Sequence, residues 1–394
     1  MPAVLTLAVL AAQCVPARWF SGDPQSLDLL KDSPVNCLVV DKPHWTTTLV
    51  AEAHRRGLKM IALGAPQPEA DALVTDGEPS ASLPTIVIAN RDRIHASGGI
   101  VATTQAVWPG IRAGDDAIAT PSSAPWVDTD LGYLRYLRSQ VSDAIWLMNR
   151  PPPGKTFPVR RYRQVMCDAA LAGAHWVIDL DQDTAKRLLA NDPAAKKDWG
   201  ELMQLASFLQ AMPDVRTLGV YSTLGVSVAP QTGAFVSGGV LDMIGAQHIP
   251  FQVVKSGAGM QEFFDFADDS IVKFPKTSLG RVQVLQADVD LLEPVYRRVE
   301  VIVGRTNFGL RVFNGAGVLS APYALPGGKG VLVPLVNYTD YAAETITLHV
   351  QGTWKKATLE TPGKPPKALN IYSVKTATAV EIDTLDLVGF VRVE

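Results

Sequence analysis

Cysteine is scarce, with only Cys14, Cys37 and Cys167 in 394 residues. Three such widely spaced residues exclude a cysteine-based zinc module and a disulfide framework of the kind that staples small secreted domains. Cys37 and Cys167 lie inside apolar segments, so all three read as packing residues. An excess of one charge sign is lacking too. Thirty-six basic residues face thirty-nine acidic ones, for a net charge of −3, and no Lys/Arg run breaks the balance. Nucleic acid is therefore not expected as a partner, nor is an anionic membrane surface.

Long hydrophobic runs are missing as well. Met1 to Ala17 is apolar and free of charge, but it is too short to span a bilayer, so no membrane span is expected. It has the character of a secretory leader without the basic start, and Val15-Pro16-Ala17 offers a small-residue cleavage site. The alternative for residues 1–17 is a first strand plugging a barrel. Export to the periplasm or the exterior is the working expectation. The Gly-rich pieces lack the lysine of a phosphate loop and the dinucleotide pattern after a strand. No Gly-x-Ser-x-Gly elbow occurs. His44 and His54 have no metal-helix spacing with a third ligand, so neither metal nor cofactor is expected, and His44 beside Trp45 reads as packing or bonding locally.

What is present is alternation. Arg18-Trp19-Phe20, Asn36 to Val40, Leu58 to Leu63 and Ala72 to Thr75 are short apolar strands, and helical segments such as Thr46 to Arg56, stopped by Gly57, separate them. One of Thr85 to Ile88 and Gly99 to Thr103 is taken as strand five, with the rest an elaborated loop. Ala144 to Met148 follows as strand six, His175 to Asp181 as strand seven and Leu218 to Tyr221 as strand eight, with helices at Leu131 to Gln140, Tyr162 to Ala172 and Ala194 to Leu209. Eight strand-helix units predict an α/β fold with a TIM-type (β/α)8 barrel over residues 18–225. An open doubly wound sheet would give the same alternation.

Beyond this the texture changes. Residues 226–294 read as a small α/β middle unit, with a helix from Gly238 to Gln247 and a strand from His248 to Val254. From residue 295 to 394 apolar and polar residues alternate between turn signals such as Asn314-Gly315 and Pro326-Gly327-Gly328, which predicts a C-terminal antiparallel β-sandwich. Val331 to Tyr338 and Glu344 to Val350 are its clearest strands.

This layout resembles the trimeric bacterial beta-galactosidases of glycoside hydrolase family 42 and their relatives, which follow a barrel with an amidotransferase-like middle domain and a short β-domain. Ser237 to Asp242 with His248-Ile249-Pro250-Phe251, and Leu335-Val336-Asn337-Tyr338 to Val391-Arg392-Val393-Glu394, carry the resemblance. It implies a carbohydrate or glycoside ligand and leaves a homo-oligomer open. The family uses two glutamates, the acid/base one following an Asn, but no Asn-Glu occurs here, and before Ser222 the only glutamates are Glu52, Glu69, Glu78 and Glu201.

Aspartates must then do the work of acid and ionised partner. His175 to Asp181 is the segment around which the chain is read, because a buried strand that breaks off in Asp179 and Asp181 is where a barrel places its site. The candidates are Asp41, Asp76, Asp179 and Asp181; of these Asp181 is the expected ionised residue and Asp76 the expected acid, with Asp179 able to replace either. Capping of the next helix is the competing role for either acid of this segment. Glu78 is an outside candidate. Asp41, Trp45, Arg91, Trp108, Trp126, Asp128, Asn149 and Arg150 fall at or after strand ends and are the expected substrate-binding residues. The tryptophans would stack on sugar faces or act as hydrophobic lids. The arginines would bind an acidic sugar or neutralise the aspartates. A non-catalytic carbohydrate-binding or scaffold protein on the same barrel is the second reading.

Overall fold

The computed structural model describes residues 14–88, 100–104, 108, 111–112, 120–121, 129–141, 144–222, 224–228, 241–246, 248–254, 262–268, 271–273, 284–286 and 309–394. The chain forms two compact units: Met1–Trp108, Arg112–Thr120 and Val141–Met212 make the first, and Pro109–Ile111, Pro121–Gln140 and Pro213–Glu394 the second.

The first unit is built on an eight-stranded parallel sheet. Its strands are β1 (Pro16–Trp19), β2 (Cys37–Asp41), β3 (Lys59–Leu63), β4 (Ala72–Thr75), β5 (Thr85–Ile88), β6 (Val101–Thr103), β7 (Ile145–Leu147) and β8 (Ala174–Trp176). Two residues past β8 the chain meets β1: Ala17 bridges Ile178 in parallel, Ile178 N–H donates to Pro16 O at 3.0 Å, and Arg18 N–H donates to Ile178 O at 2.8 Å. The sheet thereby closes on itself as a near-closed barrel, which leaves the first and last strands with partners on both sides.

The eight strands are not quite those expected. Both Thr85–Ile88 and Val101–Thr103 are barrel strands, paired with each other. The segment expected as strand eight is not one of them, since Gly219–Val220 pairs antiparallel with Tyr323–Ala324 in the second unit. A two-residue apolar strand records no partner in its own sequence, so only tertiary pairing assigns it.

Helices between the strands follow their local signals. Helix α1 (Thr47–Arg55) is capped by the Thr46 hydroxyl, which accepts from Leu49 N–H, and ends before Gly57 at φ +76°. Helices α2 (Val159–Leu171), α3 (Gln182–Leu189) and α4 (Pro193–Ala211) cover the later strands. Asp181 and Asp192 cap α3 and α4, accepting from Thr184 N–H and Ala195 N–H.

Inside the barrel the period of two selects one side chain in two. Cys37 and Val39 of β2, Val74 of β4, Trp146 of β7 and Val177 after β8 share one buried cluster. Cys14 belongs to it as well and forms a disulfide with Cys37, their Cα atoms 5.6 Å apart. The expectation that Cys14 and Cys37 merely pack is thereby corrected. They are 23 residues apart in sequence, but parallel pairing sets Pro16 beside Cys37 and brings the sulfurs together. Cys167 is free and buried. Pro16 and Ala17 belong to β1, so a cut after Ala17 would sever the barrel's first strand.

In the second unit, Leu224–Val228 lies parallel to Gln252–Val253 and to Glu262–Asp268 in a five-stranded sheet, with the helix Leu241–Ala246 intervening in sequence. The C-terminal residues form two antiparallel sheets. One holds Leu310–Phe313, Ala343–Gln351, Ala377–Leu385 and Asn370–Val374, and the other centres on Val331–Asn337 and Val388–Val393. Alternate residues of both, such as Val331, Val333 and Leu335 from one and Ile346, Leu348 and Val350 from the other, fill a common core. No helix among the described residues is long and apolar enough to cross a membrane.

Candidate functional site at the barrel mouth

The inward period of the barrel strands continues past the core to their C-terminal ends. On β2 the series Cys37, Val39 reaches Asp41. After β8 Val177 is followed by Asp179, and on β1 the series from Cys14 reaches Arg18. Because β1 is flanked by β2 and by the end of β8, one residue of β1 can touch both neighbours.

Arg18 does so. Its Nη2 donates to Asp41 Oδ2 at 3.3 Å and its Nη1 to Asp179 Oδ2 at 3.4 Å. The two terminal nitrogens of one planar guanidinium thus hold the two carboxylates within about 9 Å of each other. Arg18 Nε is buried and makes no hydrogen bond, and the guanidinium lies 5.4 Å from the Phe20 ring. The chain of charge runs on at both ends. His44 Nδ1 lies 2.5 Å from Asp41 Oδ1, and Arg150 Nε lies 3.4 Å from Asp179 Oδ2. The Asp179 side chain is 8% exposed, against 27% for Asp41 and 53% for Arg150.

These surroundings push the two carboxyls in opposite directions. Burial pushes Asp179 up to about 7 against the attraction of Arg18, and the negative charge of Asp41 adds to the rise. Burial also acts on Asp41, but hydrogen bonds and charge from His44 and Arg18 together outweigh it and hold this carboxyl below its usual value. Near neutral pH the site therefore contains one ionised carboxylate and one that exchanges its proton.

Asp181 is not part of this cluster. Its Oδ1 accepts from Thr184 N–H at 2.9 Å, and its Oδ2 accepts from the Tyr162 hydroxyl at 2.5 Å and the Thr184 hydroxyl at 2.7 Å. It is buried, and its acceptor capacity serves the start of α3. Period-two reasoning put Asp179 and Asp181 on one side, but β8 ends at Trp176 and its last bridge is at Ile178, so the alternation has lapsed by residue 181. The Tyr162 phenol is raised by burial and by Asp181.

Asp76 is exposed just beyond β4, and among the described residues no hydrogen bond or ion pair joins it to Asp41 or Asp179. Glu78 is likewise exposed. Trp45 is half-buried beside His44, with Nε1 donating to Pro68 O at 3.1 Å. Trp108, expected as a sugar platform, is packed away instead. It stacks on Phe157 at 4.6 Å, meets Tyr162 and Trp176 edge-on, and donates from Nε1 to Arg150 O at 3.1 Å. Its ring is buried and supports the backbone of Arg150. Asn149 is buried, and its carbonyl lies 3.5 Å from Trp176 Nε1. Arg91, Trp126 and Asp128 lie outside the described residues.

Two members of the cluster were not among the expected site residues. Arg18 had one signal, a lone cation in an otherwise apolar strand. His44 had another, its position three residues after the strand-ending Asp41. Among the described residues no group of His, Cys, Asp and Glu is arranged to hold a metal ion.

No known family matches the sequence, and no curated protein does. In structure the chain is similar to "Alpha-L-fucosidase isoenzyme 2 from Paenibacillus thiaminolyticus", with a TM-score of 0.65, 9% identity, and 97% of this chain and 99% of that one covered. The apo exo-carrageenase GH42 from Bacteroides ovatus matches with a TM-score of 0.41 at 11% identity, covering 95% of this chain and 57% of that one. The fold is thus that of glycoside-hydrolase-like (β/α)8 barrel proteins with a C-terminal β-domain. At this identity the likeness is one of fold.

Proposed function

We propose that this protein acts on a glycoside at the mouth of its barrel, with Asp179 as proton donor and Asp41 as the ionised partner. The observation that carries the reading is the pair itself, two carboxyls held by one arginine at adjoining strand ends, with one pushed up to about 7 and the other pushed down. In glycoside hydrolysis one carboxyl must arrive protonated and the other ionised. Asp179 gives its proton to the leaving oxygen as the glycosidic bond breaks. Asp41 attacks the anomeric carbon or takes a proton from the water that does. Arg18 stabilises charge on both, and His44 keeps Asp41 ionised and oriented. A spacing of about 9 Å at most contains both the ~5 Å of retention and part of the range of about 6.5–9.5 Å used for inversion. Trp45, four residues after Asp41, is the residue we propose to pack on a sugar face.

The second reading has its own observation. Arg150 and Arg18 both approach Asp179 Oδ2 at 3.4 Å, and two cations on one carboxylate favour its ionised form. In that state the cluster is a carbohydrate-binding site without a proton donor.

One experiment separates them. Wild-type protein, Asp179→Asn and Asp41→Asn are assayed on a panel of alkyl glycosides, whose leaving oxygens need protonation, and each sugar is titrated in parallel by calorimetry. Turnover of a panel member with loss of at least a hundredfold in both variants supports the hydrolase. Binding without turnover supports the second reading, and neither binding nor turnover of any sugar overturns both. We also propose that the protein works in an oxidising compartment, where the Cys14–Cys37 disulfide persists.

A further inference from the structure

Two neighbouring turns of the C-terminal sandwich enclose a groove of about 500 Å³, within the usual range for small-ligand sites. One is the turn 314–317, between the strands Leu310–Phe313 and Val318–Ser320. The other is the connection from Val331–Asn337 to Ala343–Gln351, which presents Thr339 and Tyr341, with Glu344 at the start of the strand that follows. From this geometry we infer a saccharide-binding site on the β-domain, with Tyr341 as its stacking platform. The inference rests on the reading of the chain as carbohydrate-active and adds a site that is separate from the catalytic pair in sequence and in residue type.

Tyr341 is 71% exposed, a large apolar surface that folding leaves in water. The backbone beneath it is nevertheless locked. Buried Asn337 donates from Nδ2 to Tyr341 O at 2.7 Å and to Asp386 O at 2.9 Å, and its Oδ1 accepts from Thr339 N–H at 3.0 Å. The Thr339 hydroxyl lies 2.7 Å from Tyr341 O. An exposed ring on a fixed backbone has already lost much of the freedom that ligand binding would remove.

The facing turn is shaped to leave room. Asn314 sits at φ +58° and donates from Nδ2 to Thr345 O at 3.2 Å, which ties this turn to the strand Ala343–Gln351. A Cβ on Gly315 would come 2.8 Å from Val312 Cγ1, so this backbone lies close to Val312, and Gly315, Ala316 and Gly317 line the groove with nothing larger than a methyl group.

The lining selects the class of ligand. It holds no Lys or Arg, and Glu344 is its only ionisable acid. An anionic sugar or a phosphate would meet repulsion there with nothing to offset it. A neutral saccharide offers a flat C–H face to the Tyr341 ring and hydroxyls to the Glu344 carboxylate and the Asn314 amide.

The test is affinity electrophoresis of the full chain through gels containing a soluble neutral polysaccharide: a mixed-linkage β-glucan, a galactomannan or a xyloglucan. The wild type is expected to be retarded by at least one of them. Tyr341→Ala should bind at least tenfold more weakly, Tyr341→Phe should retain binding through its ring, and both should melt as the wild type does. Asp179→Asn runs alongside and should be retarded normally. The same gels score this site apart from the barrel. Loss of retardation in Asp179→Asn with none in Tyr341→Ala would place binding at the barrel mouth and overturn the inference. Equal mobility of wild type and Tyr341→Ala in all three gels would overturn it too. Absence of hydrolysis by the wild type would count against the barrel reading alone.

Discussion

Arg18 Nη1 lies 3.4 Å from Asp179 Oδ2, across the seam where the last strand of the barrel meets the first. The contact exists only because the barrel closes, since 161 residues separate the two in sequence. It couples the integrity of the fold to the charge state of the site.

Arg18→Met is therefore expected to shift the proton affinity of Asp179. Without the guanidinium, burial and Asp41 raise Asp179 further above about 7, with Arg150 left as the opposing charge. If Asp179 is the acid, the high-pH limb of kcat/KM moves to higher pH, while the value at neutral pH drops at least tenfold because Asp41 loses a partner. A pH–rate profile for each protein measures both. An unchanged limb would remove Arg18 from the mechanism.

Asp179 should also set a pH dependence of stability. Its carboxyl binds a proton more tightly in the fold, at about 7, than in the unfolded chain, near 3.9. Below the unfolded value both states are protonated and there is no penalty. As pH rises from about 4 to 7 only the unfolded state loses its proton, so stability falls, by up to about 4 kcal/mol when fully developed. Asp179→Asn lacks this titration, and its melting temperature should gain on the wild type between pH 5 and pH 8. A gap that narrows over that interval would show that Asp179 is held ionised by its arginines.

Asp181→Ala should act on stability. It removes the cap of α3 and leaves Tyr162 and Thr184 without their acceptor, at a cost of about 2–3 kcal/mol in chemical denaturation. Activity per folded molecule should stay within threefold of the wild type. A hundredfold loss with an unchanged midpoint would restore Asp181 as a catalytic candidate.

The Cys14–Cys37 bridge closes a loop spanning 23 residues, which the loop-entropy argument values at about 3 kcal/mol. Cys14→Ser/Cys37→Ser should melt several degrees lower, whereas reductant alone should act slowly on the native protein because both sulfurs are buried. Equal melting of the double variant and the wild type would show that the bridge is not formed.

The alternation of strand and helix was readable because buried parallel strands are continuous apolar runs such as Cys37 to Val40. It misled where strands are shortest. β5 and β6 have four and three residues and read as one strand with a loop, and Gly219–Val220 filled the count although it pairs elsewhere. At the site, Asp179 and Asp41 were legible as acids at strand ends. Asp181 carries the same local signal as a helix cap, and the two roles differ only in what Tyr162 and Thr184 do to it. Arg18 and the disulfide depend on which strands become neighbours, which no local pattern records. Trp108 looked like a loop residue because its partners Phe157, Tyr162 and Trp176 lie roughly fifty to seventy residues downstream.

Leaving-group dependence tests the central claim most directly. For one sugar, kcat/KM is measured on its nitrophenyl glycoside, which departs without protonation, and on its alkyl glycoside, which needs an acid. The account predicts that Asp179→Asn loses at least a hundredfold more on the alkyl substrate than on the nitrophenyl one, while Asp41→Asn loses on both. Equal losses on the two substrates in Asp179→Asn, or none, would contradict the assignment of Asp179 as proton donor.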